Sequence, residues 1–181
     1  MFNVIVKMDA QQKAFLAQVR DAMQDYFGAD QRRIDHALQV SCYAEELLSY
    51  IDADPVTTLA AAYLHDIGIP ESERKHGSSS GKWQEIEGPP IARKILATLD
   101  AEEALTEQVA AIVAGHHTRN AVDTPEFRVI WDADALVNFA AVLPAKSAAQ
   151  IEAMLQGHMV TEPGYRIARR IFLQDTESHK R

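Results

Sequence analysis

The chain has 181 residues, 47% of them hydrophobic and 24% charged, and its formal charge at pH 7 is -8. This size and composition predict one soluble domain with a substantial core. The negative charge argues against a nucleic-acid polymer or an anionic membrane as the main partner, because both attract clustered lysines and arginines. A small anionic ligand is compatible with this charge if a cation lies between it and the protein.

The sequence also bears on the cellular compartment. The single cysteine, Cys42, lies in a helical pattern, which excludes an intrachain disulfide framework and predicts a packing role. The apolar residues 1–8 predict a short strand or an ordered tail, since they are too few for a signal-peptide core with its cleavage site. No run approaches transmembrane length, so we expect a cytoplasmic protein. The oligomeric state is not determined by the sequence.

The first two predicted helices lie between residues 9 and 51. Asp9 is the expected N-cap of the first helix, which stops near Gly28. The second helix is predicted from about residue 30 to residue 51, with His36 on its inward face. The other members of that inward stripe are Val40, Tyr43 and Leu47. An imidazole on a buried face needs a polar partner.

A third, alanine-rich helix is predicted to begin at Asp54 and Pro55 and to end on His65 and Asp66, just before Gly68. The imidazole and the carboxylate of the consecutive pair offer one nitrogen and one oxygen ligand to a single cation. An isolated His-Asp pair is more often a hydrogen-bonded helix end. We interpret this pair as the centre of a metal site because of the partners described below.

The helical periodicity of apolar residues disappears over residues 68–88. This predicts a long irregular segment, either a functional lid or a mobile surface loop. Lys75 and His76 in this segment are candidate substrate contacts, or else ordinary solvated residues. A fourth helix is predicted to start at Pro89 and Pro90.

A fifth helix is predicted from residue 102 to about residue 116. His116 continues its inward stripe, and both His116 and His117 can reach one cavity. The remaining predicted segments are helices at 148–155 and 163–173 and a polar tail at 175–181. Neither an interior linker nor a repeat is found, which predicts a single domain over 1–181.

A further helix is predicted to start at Thr124 and Pro125 and to carry Asp134 and Asn138 on an otherwise apolar face. Burial of the Asp134 carboxylate without a partner would cost several kcal/mol, so a cation or a set of donors must lie beside it. Asp132 is interpreted as solvated or as an acceptor behind the metal ligands.

Four side chains from three separated helices now form one candidate set: His36, His65, Asp66 and Asp134. Any one of these side chains alone is more often a polar core residue whose hydrogen bonds are made within the protein. Together, two imidazoles and two carboxylates suit Mn, Fe, Co, Ni or Zn, with Mg also admitted. We therefore predict an all-α fold, a compact helical bundle with a central metal site.

Over about residues 30–140, the chain resembles the HD-domain metal-dependent phosphohydrolases. Their signature is a histidine, a later His-Asp pair and a final aspartate. The segments that carry the resemblance are RIDHALQV at 33–40, YLHDIG at 63–68 and ADALVN at 133–138. The usual last motif has a basic residue after its aspartate, where this chain has Ala135. Residues 141–181 add C-terminal helices and the polar tail.

The resemblance implies a helical fold with one or two central metals and hydrolysis of phosphate esters or anhydrides, often of nucleotides. His36, His65, Asp66 and Asp134 would hold the ion, His65 and Asp66 would be catalytic, and a water on the metal would attack phosphorus. One ion is the first expectation. The alternative is a second ion held by Asp66, His116, His117 and either Glu85 or Glu87.

Substrate contacts are expected from Arg33, Lys75, His76 and Asn138. Ile69 replaces the lysine of the cyclic-dinucleotide branch, which argues against cyclic dinucleotides, and no residue matches the general acid of other branches. The predicted partner is a small phosphorylated compound, and the resemblance favours a nucleotide. The alternative function is a weakly catalytic or non-catalytic domain that senses a metal or a nucleotide.

Overall fold

The fold is entirely helical over the part of the chain that the computed structural model describes, residues 8–173. This confirms the predicted all-α class. The polar tail and nearly all of the N-terminal apolar segment lie outside the described residues. Within the described range no helix is both long enough and apolar enough to cross a membrane.

Nine α-helices and one 3₁₀ turn make up the described range. In chain order they are α1 Ala10–Phe27, α2 Gln31–Leu48, α3 Pro55–Leu64, α4 Ile69–His76, α5 Gly81–Thr98, α6 Glu103–Val113, α7 Pro125–Val142, the 3₁₀ turn Leu143–Ala145, α8 Ala148–His158 and α9 Glu162–Leu173. The predicted caps Asp9, Asp54 and Thr124 each accept a hydrogen bond from the backbone three residues on.

Helix α3 lies at the centre of the bundle and packs against α1, α2, α6 and α7. All of its residues except Pro55 and Tyr63 are buried. Ala60, Ala61 and Ala62 are fully buried, and their small side chains let neighbouring helices come close. Since His65 and Asp66 directly follow α3, the central position of this helix carries the pair into the interior.

The prediction of an irregular segment from residue 68 to residue 88 is wrong, because α4 and α5 leave only Gly68 and residues 77–80 outside helices. The predicted helix start at Pro89 is wrong for the same reason. Pro89 and Pro90 lie inside α5, where each lacks the N–H of a helical hydrogen bond. Helix α5 continues through them because it is packed between α4 and α6.

Two glycines allow this packing. A Cβ on Gly68 would lie 2.6 Å from the carbonyl oxygen of Gln84 and 2.7 Å from the nitrogen of Gly88. A Cβ on Gly88 would in turn lie 2.7 Å from Cγ1 of Val113. The turn that follows Asp66 therefore lies directly on the backbone of α5, and α5 lies directly on the end of α6.

Two predictions about single side chains are also corrected. Cys42 is exposed, so its predicted packing role is wrong; helix α2 buries Ser41 and Ala44 instead. Asp132 is fully buried, so the prediction that it is solvated is wrong. Its carboxylate accepts hydrogen bonds from the backbone of Val160 and Thr161, just before α9.

Candidate metal centre

The first group of candidate ligands lies where α2 packs against both α3 and α7. His36 comes from α2, His65 and Asp66 from the end of α3, and Asp134 from α7. The Nε2 atom of His36 lies 3.2 Å from Nε2 of His65 and 3.0 Å from Oδ1 of Asp134. It also lies 3.6 Å from Oδ2 of Asp66. Three helices thus bring four predicted ligands together.

The spacing of these atoms suits a single cation. Nε2 of His65 lies 3.6 Å from Oδ2 of Asp66 and 3.7 Å from Oδ1 of Asp134. Ligand atoms about 2.1 Å from one ion are separated by roughly 3.0 to 3.5 Å when they are adjacent in its coordination shell. His36, His65 and Asp66 each offer an atom within 4.8 Å of the other two. Asp134 joins this group through its contacts with the two histidines.

The backbone fixes which nitrogen of the two most buried histidines carries a proton. Nδ1 of His65 lies 2.8 Å from the carbonyl oxygen of Ala62, and Nδ1 of His116 lies 2.8 Å from that of Val113. A carbonyl oxygen only accepts, so each Nδ1 must be the donor. In the neutral rings, each Nε2 then presents a lone pair, which is the usual orientation of a histidine ligand.

A second group consists of Asp66, His116 and His117, whose ligand atoms also lie within 4.8 Å of one another. Oδ1 of Asp66 lies 3.4 Å from Nε2 of His116, while Oδ2 faces the first group. The Asp66 carboxylate therefore lies between the two groups. Nε2 of His116 is buried without a hydrogen-bond partner, and a cation at this place would coordinate its lone pair.

His117 is held by residues of α5. Its backbone N–H donates to Oε1 of Glu85 at 3.0 Å, and its Nε2 lies 3.1 Å from Oε1 of Gln84. Gln84 donates from its own amide nitrogen to the carbonyl of Ser79 at 2.7 Å, which turns its oxygen toward His117. Nε2 of His117 is then the donor, and Nδ1 keeps the lone pair. Gly81 allows the approach, since a Cβ there would lie 2.7 Å from the His117 ring.

Both carboxylates of the first group are ionised. Burial raises the pKa of Asp66, but the surrounding His65, His116 and His36 outweigh it and hold that pKa far below its usual range. Burial likewise raises the pKa of Asp134, and the hydrogen bond from His36 and the nearby His65 bring it below the ordinary value. Two negative charges therefore face one small space.

The histidines respond to these charges in different ways. Burial lowers the pKa of His65, so this ring is neutral and ready to bind a cation. Burial also lowers the pKa of His36 and His116, but Asp134 and Asp66 respectively raise it above the ordinary value. Desolvation lowers the pKa of His117. The carboxylates thus draw positive charge into the centre, and a metal ion would displace those protons.

A cavity of about 220 Å³ opens onto this centre. Arg33 lines it with a side chain that is 12% exposed, and its guanidinium is held by Asp30 at 2.9 Å and Glu73 at 2.6 Å. Its Nε is buried without a partner. Asn138 also lines the cavity and donates to Oδ1 of Asp134 at 2.9 Å, which orients that carboxylate.

A family model of the HD domain matches residues 33–138, more than half of the chain. The chain belongs to the HD-domain family. The match contains all four residues of the first group and both histidines of the second.

One solved structure is similar to this HD domain over most of its length. It is that of a predicted HD superfamily hydrolase from an uncultured Thermotogales bacterium, and it shares 24% sequence identity with a TM-score of 0.61. The likeness covers 92% of this chain and 87% of that chain. At this identity it supports the fold alone. No curated protein matches the chain.

Three of the predicted site residues are not brought to the metal centre. Glu87 accepts from Nζ of Lys75 at 2.6 Å and lies 2.9 Å from Nε2 of His76. None of the three lines the cavity. The ring of His76 stacks on Trp83, with centroids 3.8 Å apart. This cluster joins α4 to α5 on one side of the HD domain.

Two polar residues of the cavity wall were not predicted as site residues. Gln84 is buried beside His117, and Arg32 borders the cavity next to Arg33. Gln84 lies in the segment that lacks a clear helical period, so no pattern placed it on an inward face. For Arg32, the only clue in the sequence is its position one helical turn before His36.

Proposed function

We propose that this HD domain is a metal-dependent phosphohydrolase that acts on a small nucleotide or another phosphorylated metabolite. The observation that carries the proposal is the meeting of Asp66 and Asp134 with the lone pair of buried His65. These are acceptor groups, and the carboxylate oxygens lie 3.0 to 3.7 Å from the Nε2 atoms of His36 and His65. A cation is the partner that satisfies such a set.

The donor set fits a divalent transition metal. Two imidazole nitrogens and two carboxylate oxygens suit Mn, Fe, Co, Ni or Zn, while Mg prefers a shell of oxygens and is the weaker fit. His36, His65, Asp66 and Asp134 would hold this ion. When bound, the ion supplies a Lewis acid that activates water and polarises a phosphoryl oxygen. We propose one ion in this group, with Asp66, His116 and His117 available for a second.

The chain's own residues would position the substrate. Asn138 keeps Asp134 oriented, and Arg33 presents a guanidinium whose direction is fixed by two carboxylates. A phosphate oxygen in the cavity would meet the guanidinium of Arg33, which lines it. The positive charge of the ion and of Arg33 would offset the acidic surface locally. The proposed partner is therefore a small phosphorylated molecule, rather than a nucleic-acid polymer or a membrane.

A metal- and nucleotide-binding sensing domain is the second candidate. The observation that favours it is the absence of a separate carboxyl group in the cavity wall: within the described residues, the acidic side chains that line this cavity are Asp66 and Asp134, both candidate ligands. A general acid for the leaving group would then have to be His117 or the solvent.

The test is phosphate release by metal-stripped protein that is reconstituted with one metal at a time. The panel contains nucleoside mono-, di- and triphosphates, dinucleoside polyphosphates and sugar phosphates. We expect turnover that requires the metal and falls at least about a thousandfold in Asp66→Asn, because this carboxylate faces both groups. Asp21→Asn, which changes an exposed carboxylate on α1, is the control. Metal binding without turnover across the panel would favour the sensing domain.

A further inference from the structure

A shallow groove runs from the metal centre along α2. The cavity at the centre is bordered by Arg32 and His36. A neighbouring hollow of about 490 Å³ is lined by the same two residues and extends to Gln39 and Val137. A third hollow, of about 450 Å³, shares Gln39 and reaches Tyr43. Because adjacent hollows share wall residues, they adjoin one another along α2, and a phosphate group fills only the first of them.

Arg32 lies where this groove leaves the metal centre. Among the arginines that the structure describes, it is the one without a hydrogen-bond or ion-pair partner; its neighbour Arg33 is held by Asp30 and Glu73. A solvated arginine is common on protein surfaces. This one borders both the cavity and the groove, and its planar set of donors matches a phosphoryl group.

The rest of the groove is suited to a ring-bearing body without negative charge. The exposed carboxylate of Asp35 lines both outer hollows, where it repels anions and can accept hydrogen bonds from hydroxyl or amino groups. Gln39 has no hydrogen-bond partner among the described side chains, so its amide can both donate and accept. Val137, Leu38 and Tyr43 are half-buried and supply apolar walls. A nucleoside combines flat apolar faces with polar edges and fits this lining.

We propose that the ligand carries two linked phosphoryl groups and a nucleoside, with the terminal phosphoryl at the metal centre, the inner phosphoryl on Arg32 and the nucleoside along α2. This inference rests on the proposed phosphohydrolase function where it concerns turnover. The oxygen of water forms a bond to the terminal phosphorus as the bond from that phosphorus to the bridging oxygen breaks. The electron pair stays on the bridging oxygen of the nucleoside monophosphate, and the proton lost in forming inorganic phosphate passes to the solvent.

Equilibrium binding tests the role of Arg32 without requiring turnover. The probes are the α,β-methylene analogues of adenosine, guanosine, cytidine and uridine diphosphate, compared with the four monophosphates on protein saturated with one metal. We expect at least one analogue to bind more tightly than its monophosphate. Arg32→Ala should weaken the analogue by about tenfold and leave the monophosphate unchanged, since one charge-assisted contact is lost. Arg32→Lys should restore part of the difference.

Two further variants complete the test. Lys13→Ala removes an exposed positive charge on α1, away from the groove, and should change neither affinity. Gln39→Ala should weaken the diphosphate analogues, yet leave the binding of methylenediphosphonate, which has no nucleoside, unchanged. The inference is overturned if no analogue binds more tightly than its monophosphate, or if Arg32→Ala affects both classes equally.

Phosphate release separates this inference from the proposed function. Turnover of monophosphates with no special role for Arg32 would overturn the inference and keep the phosphohydrolase. The expected binding pattern without any metal-dependent turnover would support the two-phosphoryl ligand and place it in a sensing domain.

Discussion

Asp132 and Asp134 lie two positions apart on α7 and have different roles. Asp134 faces the metal centre, where His36 and Asn138 contact it. Asp132 is fully buried on another side of the helix, and its carboxylate accepts from the backbone of Val160 and Thr161, both at 2.9 Å. The Thr161 hydroxyl adds a third hydrogen bond at 2.6 Å. Asp132 thus fixes the start of α9, while Asp134 belongs to the metal centre.

Asp132→Ala is expected to lower the free energy of unfolding by about 2 to 4 kcal/mol, because three partly buried donors lose their buried acceptor. Chemical denaturation in the presence of a chelator measures this without a contribution from metal. Asp123→Ala, which changes a side chain that is 91% exposed, should stay within about 0.5 kcal/mol. Equal effects of the two substitutions would show that the buried hydrogen bonds do not fix α9.

At the scale of the elements, the turn between α3 and α4 holds the His-Asp pair close to α5 and α6. Gly68 brings this turn against the backbone of α5, and Gly88 brings α5 against α6, which ends three residues before His116. The two groups of ligands therefore meet at Asp66 because three elements approach at van der Waals distance. A side chain at either glycine would separate them.

Gly68→Ala is expected to destabilise the fold by about 2 to 3 kcal/mol, since its Cβ would overlap backbone atoms of α5 that cannot move independently. Guanidinium unfolding measures the change. Gly157→Ala is the matched control: a Cβ there meets nothing within 4 Å, and alanine in α8 should stabilise by about 0.5 to 1 kcal/mol. Wild-type stability in Gly68→Ala would contradict the close approach.

Glu87 joins α4 to α5 through Lys75 and His76. The hydrogen bonds from Lys75 and His76 lower the pKa of Glu87 from its ordinary value of 4.5. A carboxyl group whose pKa is lower in the folded state than in the unfolded chain stabilises the fold when the pH is above its unfolded-state pKa. That contribution is lost as the pH falls through the folded-state pKa.

Glu87→Gln is therefore expected to lower the melting temperature at pH 7, with the difference from wild type shrinking as the pH falls below about 4.5. Thermal melts across pH 3 to 7 give the comparison. Glu107→Gln, which disrupts a more exposed pair with Arg93, should have a smaller effect at pH 7. A difference that grows toward acid pH would reverse the sign and refute this account.

At the scale of the whole molecule, an acidic protein with a formal charge of -8 concentrates two ionised carboxylates at its centre. Their mutual repulsion opposes folding unless positive charge compensates it. Binding of a divalent ion to the native state therefore stabilises the entire domain, because the unfolded chain lacks the assembled site.

Adding Mn²⁺ or Co²⁺ at about 100 times its dissociation constant should stabilise the fold by about 2.7 kcal/mol. For a domain of this size, that corresponds to a rise of roughly 5 to 10 °C in the melting temperature. A chelator should remove the rise, and Asp66→Asn should not show it. A melting temperature that is independent of both metals would contradict the metal centre.

The sequence by itself determined the helical class, the caps at Asp9, Asp54 and Thr124, and the three segments that carry the candidate ligands. These features depend on local chemistry: caps bind backbone donors within one turn, and helical periodicity marks the face that a side chain occupies. The family signature is readable for the same reason, since its residues occupy fixed positions along their helices.

Only the tertiary structure decided how helices α4 and α5 form across residues 68–98, which side of α7 receives Asp132, and where Glu87 lies. Gly88, Pro89 and Pro90 are local helix breakers, and packing against α4 and α6 overrides them. The partners of Asp132 are 28 and 29 residues away along the chain. Such long-range contacts outweigh local preference, and no local pattern encodes them.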